Sequence, residues 1–264
     1  MARIITLVSA EGGVGKSTFC ASLAFDLAKK GKRVLLVDLT PSAPALDVLL
    51  GVDESVVYTV KDVAEETLMP KKALISLAAD SKEKGKENIL LAPLVPSVME
   101  EGEGVAKAVC SLTEAAKADV TLVDAASALY PSLFSVSDKR ILVTDTREIS
   151  LRAAEAFVQA HISCAPPSAF LLTRAPRVRE RILKDEPLLD IIDRLSLSLL
   201  GVLPYSELVR DGGLLTKKRY AKEPFVRAVG NVAERLLGNA VPLLHGIKLE
   251  GISRRFFIER SKER

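Results

Sequence analysis

A chain of 264 residues with 48% hydrophobic and 27% charged side chains has the make-up of a globular protein able to bury one ample core. Its three scattered cysteines (Cys20, Cys110, Cys164) form no CxxC pair and suggest neither a disulfide framework nor a zinc or iron–sulfur site, and its two histidines leave little material for histidine chemistry. The net charge of +3 is uneven: residues 1–173 hold 18 basic and 22 acidic side chains, whereas 174–264 hold 19 basic and 12 acidic, a surplus suited to an anionic partner or simply to solvent.

The chain opens with a short apolar run, Ile4 to Val8, that predicts a buried strand. Ser-Ala-Glu-Gly-Gly-Val-Gly-Lys-Ser-Thr follows at 9–18, and Leu23, Ala24, Leu27 and Ala28 then recur at helical spacing up to Lys29-Lys30-Gly31. Strand, glycine-rich turn and helix N-terminus in that order are the setting of a phosphate-binding loop. Gly12, Gly13 and Gly15 let backbone N–H groups converge on phosphate, and the helix dipole adds positive charge at the same place. Lys16 would reach the β- and γ-phosphates, and Ser17 would place its hydroxyl on Mg²⁺.

Arg33 to Asp38 reads as a second buried strand ending in a carboxylate beside the ligand crevice, where Asp38 would act on Mg²⁺ or its waters. A helix-like piece is expected around Lys71–Ala79, a charged exposed loop over 81–87, a third strand at 88–93, and a helix from Met99 to about Lys117. Asp119 to Asp124 is a further apolar strand capped by a carboxylate, and Asp124 should accept from Ser17 or from a Mg²⁺-bound water. Strands at 139–144, 168–174 and 199–204 follow, with a helix starting at Ser150 and another closing near Leu237. About seven strands alternating with helices predict an α/β fold, a mainly parallel twisted sheet with helices on both faces, of the P-loop NTPase type. Residues 1–240 are expected to form one nucleotide-binding domain and 241–264 a basic, apolar tail. Few amides (Gln159, Asn88, Asn231, Asn239) beside many Lys, Arg and Glu give a thermophile-like composition.

Glu11-Gly-Gly-Val-Gly-Lys-Ser-Thr18 resembles the deviant Walker A loop of the MinD/ParA ATPases, usually Lys-Gly-Gly-x-Gly-Lys-Ser/Thr, and the similarity extends from about residue 2 to 238. The resemblance implies a loop of Glu11, Gly12, Gly13, Val14, Gly15, Lys16, Ser17 and Thr18 around ATP or ADP with Mg²⁺. It implies Lys16 and Asp38 in catalysis, Ser17, Asp38 and Asp124 at the metal, and Arg174 and Pro204 framing the purine base. Two positions depart from the family pattern. Glu11 stands where the family has a lysine that crosses a dimer interface, and Thr40 stands where it has an Asp that orients the attacking water. Thr40 can donate a hydrogen bond but cannot serve as a carboxylate.

The function implied is a MinD/ParA-like ATP switch with slow hydrolysis, in spatial organisation or partitioning. The alternative is a nucleotide-binding scaffold with little or no ATPase activity. Glu11 on each of two copies would oppose like charges, so an ATP-driven homodimer is not expected. An unidentified protein partner is expected; nucleic acid is not, since the basic surplus comes without a recognition motif. The absence of an 18-residue apolar span points to the cytoplasm. The resemblance adds peripheral membrane contact through Lys248–Arg260, where Leu249, Ile252 and Phe256 share a helical face; Ile258 on the opposite side and Gly251 favour the alternative, in which Phe256 and Phe257 pack onto the domain.

Overall fold

Runs of Val, Leu and Ile only four to seven residues long are too short for buried helices and settle into strands. The computed structural model describes residues 2–77, 86–175, 188–210, 223–241 and 243. In chain order come β1 (Arg3–Val8), α1 (Lys16–Lys29), β2 (Val34–Leu39), α2 (Leu46–Leu50), α3 (Val60–Ala64), β3 (Ile75–Ser76), β4 (Ile89–Ala92), α4 (Glu103–Ala116) and β5 (Val120–Ala125). They are followed by β6 (Lys139–Asp145), α5 (Glu148–His161), β7 (Ala169–Ala175), α6 (Leu188–Leu195), β8 (Ser198–Pro204), α7 (Glu207–Arg210) and α8 (Pro224–Leu236). The fold is α/β, with eight strands in a mainly parallel sheet. The chain divides into two compact units, Met1–Val8 with Lys16–Arg140, and Ser9–Gly15 with Ile141–Arg264.

In the first unit the strand order is β3-β4-β2-β5-β1. The β2–β4, β2–β5 and β1–β5 pairs are parallel, while β3 runs antiparallel to β4. Side chains alternate along each strand, so each face of the sheet receives every second residue. Leu35, Val37 and Leu39 of β2 share a core with Val123 and Ala125 of β5 and with Val105, Ala108, Val109, Leu112 and Ala116 of α4. Those α4 positions recur every three or four residues, a single apolar stripe laid on one face. Against β2 and β5 also packs α1, whose Phe19, Cys20, Leu23 and Ala24 are fully buried. The alternation assigns Asp38 and Asp124 to the face opposite α4, the one α1 covers.

The second unit carries β6-β7-β8, all parallel, with register shifts along the β7–β8 pair. The stripe Phe225, Ala228, Val229, Val232, Ala233 and Leu236 turns α8 onto β8. Gly201 permits this close approach, because a Cβ there would lie 2.7 Å from Val232 Cγ2. Beside it Arg235 reaches back to the Leu200 carbonyl (2.5 Å) and the Val241 carbonyl (3.0 Å), and burial pushes its guanidinium down to about 10.

Three sequence expectations need adjustment. Over the described part of Lys71–Ala79 there is no α-helix: Pro70–Ala73 make a single 3-10 turn, and β3 then pairs Ile75 with Leu91. Pro70 can start a turn, but too few residues follow for a stable helix, whereas the β4 edge offers a ladder. The helix expected from Met99 begins at Glu103, because Gly102 is extended and halts it. The helix expected from Ser150 begins two residues earlier, at Glu148. Apart from residues 241 and 243, the tail over 241–264 lies outside the described residues, and the reading of Lys248–Arg260 lies wholly outside them. Among the described residues no helix is long and apolar enough to cross a membrane.

Gly201→Ala should lower stability by about 1–3 kcal/mol, the usual cost of forcing a methyl into a filled contact. Adding Val232→Ala should cost less in that background than in the wild type, since it removes the opposing methyl. Urea unfolding followed by circular dichroism on the four proteins gives the coupling; simple additivity would show that the contact relaxes freely.

Candidate functional site

In the first unit the β2–β5 register sets Asp38 directly opposite Asp124 at the C-terminal ends of two adjacent parallel strands. Strand-end positions of this kind in α/β sheets line ligand crevices. Asp124 is fully buried and Asp38 nearly so. Lys16, the first residue of α1, is also buried, and its Nζ donates to Asp124 Oδ1. A buried carboxylate beside a second one is unfavourable unless a cation or several donors offset it. Lys16 supplies the cation for Asp124, and backbone and hydroxyl donors supply Asp38.

Asp38 Oδ1 accepts from the Thr40 N–H (3.0 Å) and from the Thr40 hydroxyl, and its Oδ2 accepts from the N–H groups of Ala45 (3.0 Å) and Leu46 (3.1 Å). These bonds fill the acceptor positions of the carboxylate. Burial still pushes the Asp38 carboxyl above the ordinary Asp range, helped by the charge of Asp124 and opposed by the Thr40, Leu46 and Ala45 bonds. Asp38 thus anchors the 40–46 segment and the start of α2, a role with no sign in its strand-end position. Thr40 stands against Asp38 as a donor. Cys20, one turn into α1, has its thiol pushed well up, first by burial and then by Asp124, and stays protonated.

The donors here are hard oxygens: the half-buried Ser17 hydroxyl and the carboxylates of Asp38 and Asp124. Asp124 Oδ2 is buried with no hydrogen-bond partner among the described residues. Such an oxygen fits a Mg²⁺-bound water or the ion itself. Among the described residues no cluster of three or more His, Cys, Asp or Glu forms a metal cage.

The loop residues 9–15 belong to the second unit. Gly13 and Gly15 hold φ of +75° and +89°, left-handed conformations that side chains resist. Between them the Val14 carbonyl accepts from the Thr173 hydroxyl (2.6 Å), which also lies 3.1 Å from the Thr144 carbonyl. Glu11 Oε2 accepts from the Ser150 hydroxyl (2.8 Å) and lies 3.7 Å from the Arg147 guanidinium. Arg147 is itself clamped by buried Asp145, through Nε at 2.8 Å and its backbone N–H at 3.0 Å. Arg174 has φ of +53° and a half-exposed side chain 3.9 Å from Asp145 Oδ2. Pro204 is buried at the end of β8. Asp145 and Arg147 carry no motif; the sequence marks Ser150 only as a helix start and Thr173 only as the neighbour of Arg174, not as partners of the loop. The one available signal was Asp145, a carboxylate at the end of a buried strand like Asp38 and Asp124.

A family model described as the CobQ/CobB/MinD/ParA nucleotide binding domain matches residues 5–214. The chain belongs to this family. Within the MinD/ParA group it is 28% identical over 272 aligned residues to the septum site-determining protein MinD of Synechocystis, covering 97% of this chain and 98% of that one. It is 27% identical to MinD of Bacillus subtilis, covering 92% of each chain. Among solved structures it is similar to the MinC:MinD cell division protein complex of Aquifex aeolicus, with TM-score 0.76, 26% identity and 92% and 99% of the two chains covered. It is also similar to MinD complexed with Mg-ADP from Pyrococcus horikoshii, with TM-score 0.68, 26% identity and coverage of 89% and 96%.

Lys16→Ala should destabilise the protein without nucleotide by about 3–5 kcal/mol, because it leaves Asp124 charged, buried and unpaired. Adding Asp124→Asn should recover part of that loss. Chemical unfolding of both variants measures it; a Lys16→Ala protein as stable as wild type would mean the pair is not formed in solution.

Proposed function

We propose that this chain is an ATP-binding molecular switch: it holds ATP or ADP with Mg²⁺ on residues 11–18, hydrolyses ATP slowly and serves spatial organisation or partitioning. The observation that carries the reading is the buried Lys16–Asp124 pair, opposite Asp38, with Asp124 Oδ2 unpartnered among the described residues. A lysine held on a carboxylate at a loop–helix junction is a cation ready to exchange that partner for phosphate oxygens. Bound Mg²⁺ would neutralise phosphate charge and order the waters around it.

Backbone N–H groups of Gly12, Gly13, Val14 and Gly15 would cradle phosphate. Lys16 would bridge phosphate oxygens, Ser17 and Asp124 would hold the cation and its waters, and Thr18 would continue the α1 N-terminus toward the phosphates. Asp38 would contribute negative charge and a water contact, at the cost of one of its present bonds. Arg174 and Pro204 would frame the base. Residues 1–240 would form the nucleotide-binding domain and 241–264 a tail able to reach a membrane surface. A protein partner would read the bound state, as the complex of MinD with MinC in Aquifex aeolicus suggests by analogy.

The second reading, a nucleotide-binding scaffold with little turnover, draws support from two contacts. Thr40 donates to Asp38 where a water-orienting carboxylate would have to accept. Glu11 is bonded within its own chain. Both contacts support slow hydrolysis and weak ATP-driven dimerisation.

Calorimetry should show Mg-ATP binding to the wild type and an affinity about 10- to 100-fold weaker in Lys16→Met, the worth of a charge-assisted contact. Equal affinities would refute the site. Phosphate release should be on the order of 10⁻³ s⁻¹ or slower, as in a switch NTPase without its activator. Light scattering should show no ATP-dependent dimer. Turnover near 1 s⁻¹ with a dimer would return the protein to the ordinary family mechanism.

A further inference from the structure

Glu11 sits in an environment built for an anion. Its carboxylate meets Ser150, the third residue of α5, and Arg147, the residue that precedes the helix. Helix N-termini favour negative charge, so the dipole of α5 and the Arg147 guanidinium act in the same direction. Ser150 is almost fully buried, and its hydroxyl donates to Glu11. Arg147 cannot swing away freely, because Asp145 binds both its side chain and its backbone N–H. Three residues further along the loop, Val14 is held by Thr173 at the end of β7. The loop is therefore fastened on both sides of Gly12 and Gly13, where an added Cβ would meet nothing within 4 Å.

We infer that Glu11 is a positioning residue: a latch that binds the loop to the first turn of α5 and pre-forms it for phosphate, with Arg147 offsetting its charge. This rests on the nucleotide reading above, but the latch itself is a property of the protein alone. A free loop with three glycines spreads over many conformations and must lose that freedom when a ligand binds. Two side-chain anchors remove much of it in advance. A carboxylate beside the phosphate loop would repel the ligand unless a fixed cation stands next to it, and Arg147 is that cation. A lysine at position 11 would instead face Arg147 and the positive end of α5.

Hydrogen exchange on the full chain without nucleotide, followed by mass spectrometry over residues 9–16, tests the latch directly. Glu11→Ala and Ser150→Ala should speed exchange of the loop amides about tenfold, and Glu11→Lys should speed it more. Glu11→Gln should stay near wild type, since an amide oxygen still accepts from Ser150. Unchanged exchange in both Glu11→Ala and Ser150→Ala would overturn the latch, whether or not ATP binds. Mg-ATP affinity tests the charge offset. Arg147→Ala should weaken binding about tenfold, and Glu11→Gln in that background should restore it to within about twofold. A double variant as weak as Arg147→Ala would overturn the offset. Failure of the wild type to bind Mg-ATP would refute the functional reading and leave the exchange data to decide the latch.

Discussion

The buried ion pair of Lys16 with Asp124 is the constraint on which the first unit depends. A carboxylate with no exposure, directly opposite another carboxylate, is tolerable only if its charge is matched locally. Lys16 does this from the first residue of α1, so the helix start is fixed relative to the end of β5. The same helix is apolar around much of its circumference, with Phe19, Leu23 and Leu27 buried, and it is held along its length by packing and at its start by charge. The second oxygen of Asp124 is buried with no hydrogen-bond partner among the described residues.

Asp38 solves the same electrostatic problem differently. Among the described residues no cation pairs with it, and four hydrogen bonds from Thr40, Ala45 and Leu46 take that place. Those donors belong to the segment that follows β2, so that segment is ordered by the carboxylate it protects. Movement of the 40–46 segment and the electrostatics of Asp38 are therefore coupled. Any ligand that draws on Asp38 competes with the bonds that hold that segment.

In the second unit the charge logic is inverted. The loop contributes an acid, Glu11, and the β6–α5 turn contributes the cation, Arg147, clamped by Asp145. Glu148, next in sequence, accepts from Arg194 of α6 and from Arg152, so the α5 N-terminus lies in a string of alternating charges. Glu11 is thus accommodated by neighbours of complementary charge.

Much of this was legible in the amino-acid order. Short β-branched and Leu-rich runs, the glycine loop and its Lys-Ser, and the carboxylates ending at Asp38 and Asp124 are local signals, because strand burial, backbone torsion and helix polarity act over a few residues. They sufficed for the parallel α/β class and for the phosphate loop. Thr59 and Asp62, three apart, close a capping box at the start of α3, a helix of only five residues. The two-residue β3 was not legible, since its stability comes from the edge of β4 rather than from Ile75 and Ser76 themselves. Nor were the partners of the loop. Glu11 and Ser150 are 139 positions apart, and Val14 and Thr173 are 159 apart. No pattern in a single sequence links such residues; only the folding of the chain brings them together. Sequence determined which residues carry charge and where strands end, and tertiary structure decided which charges meet.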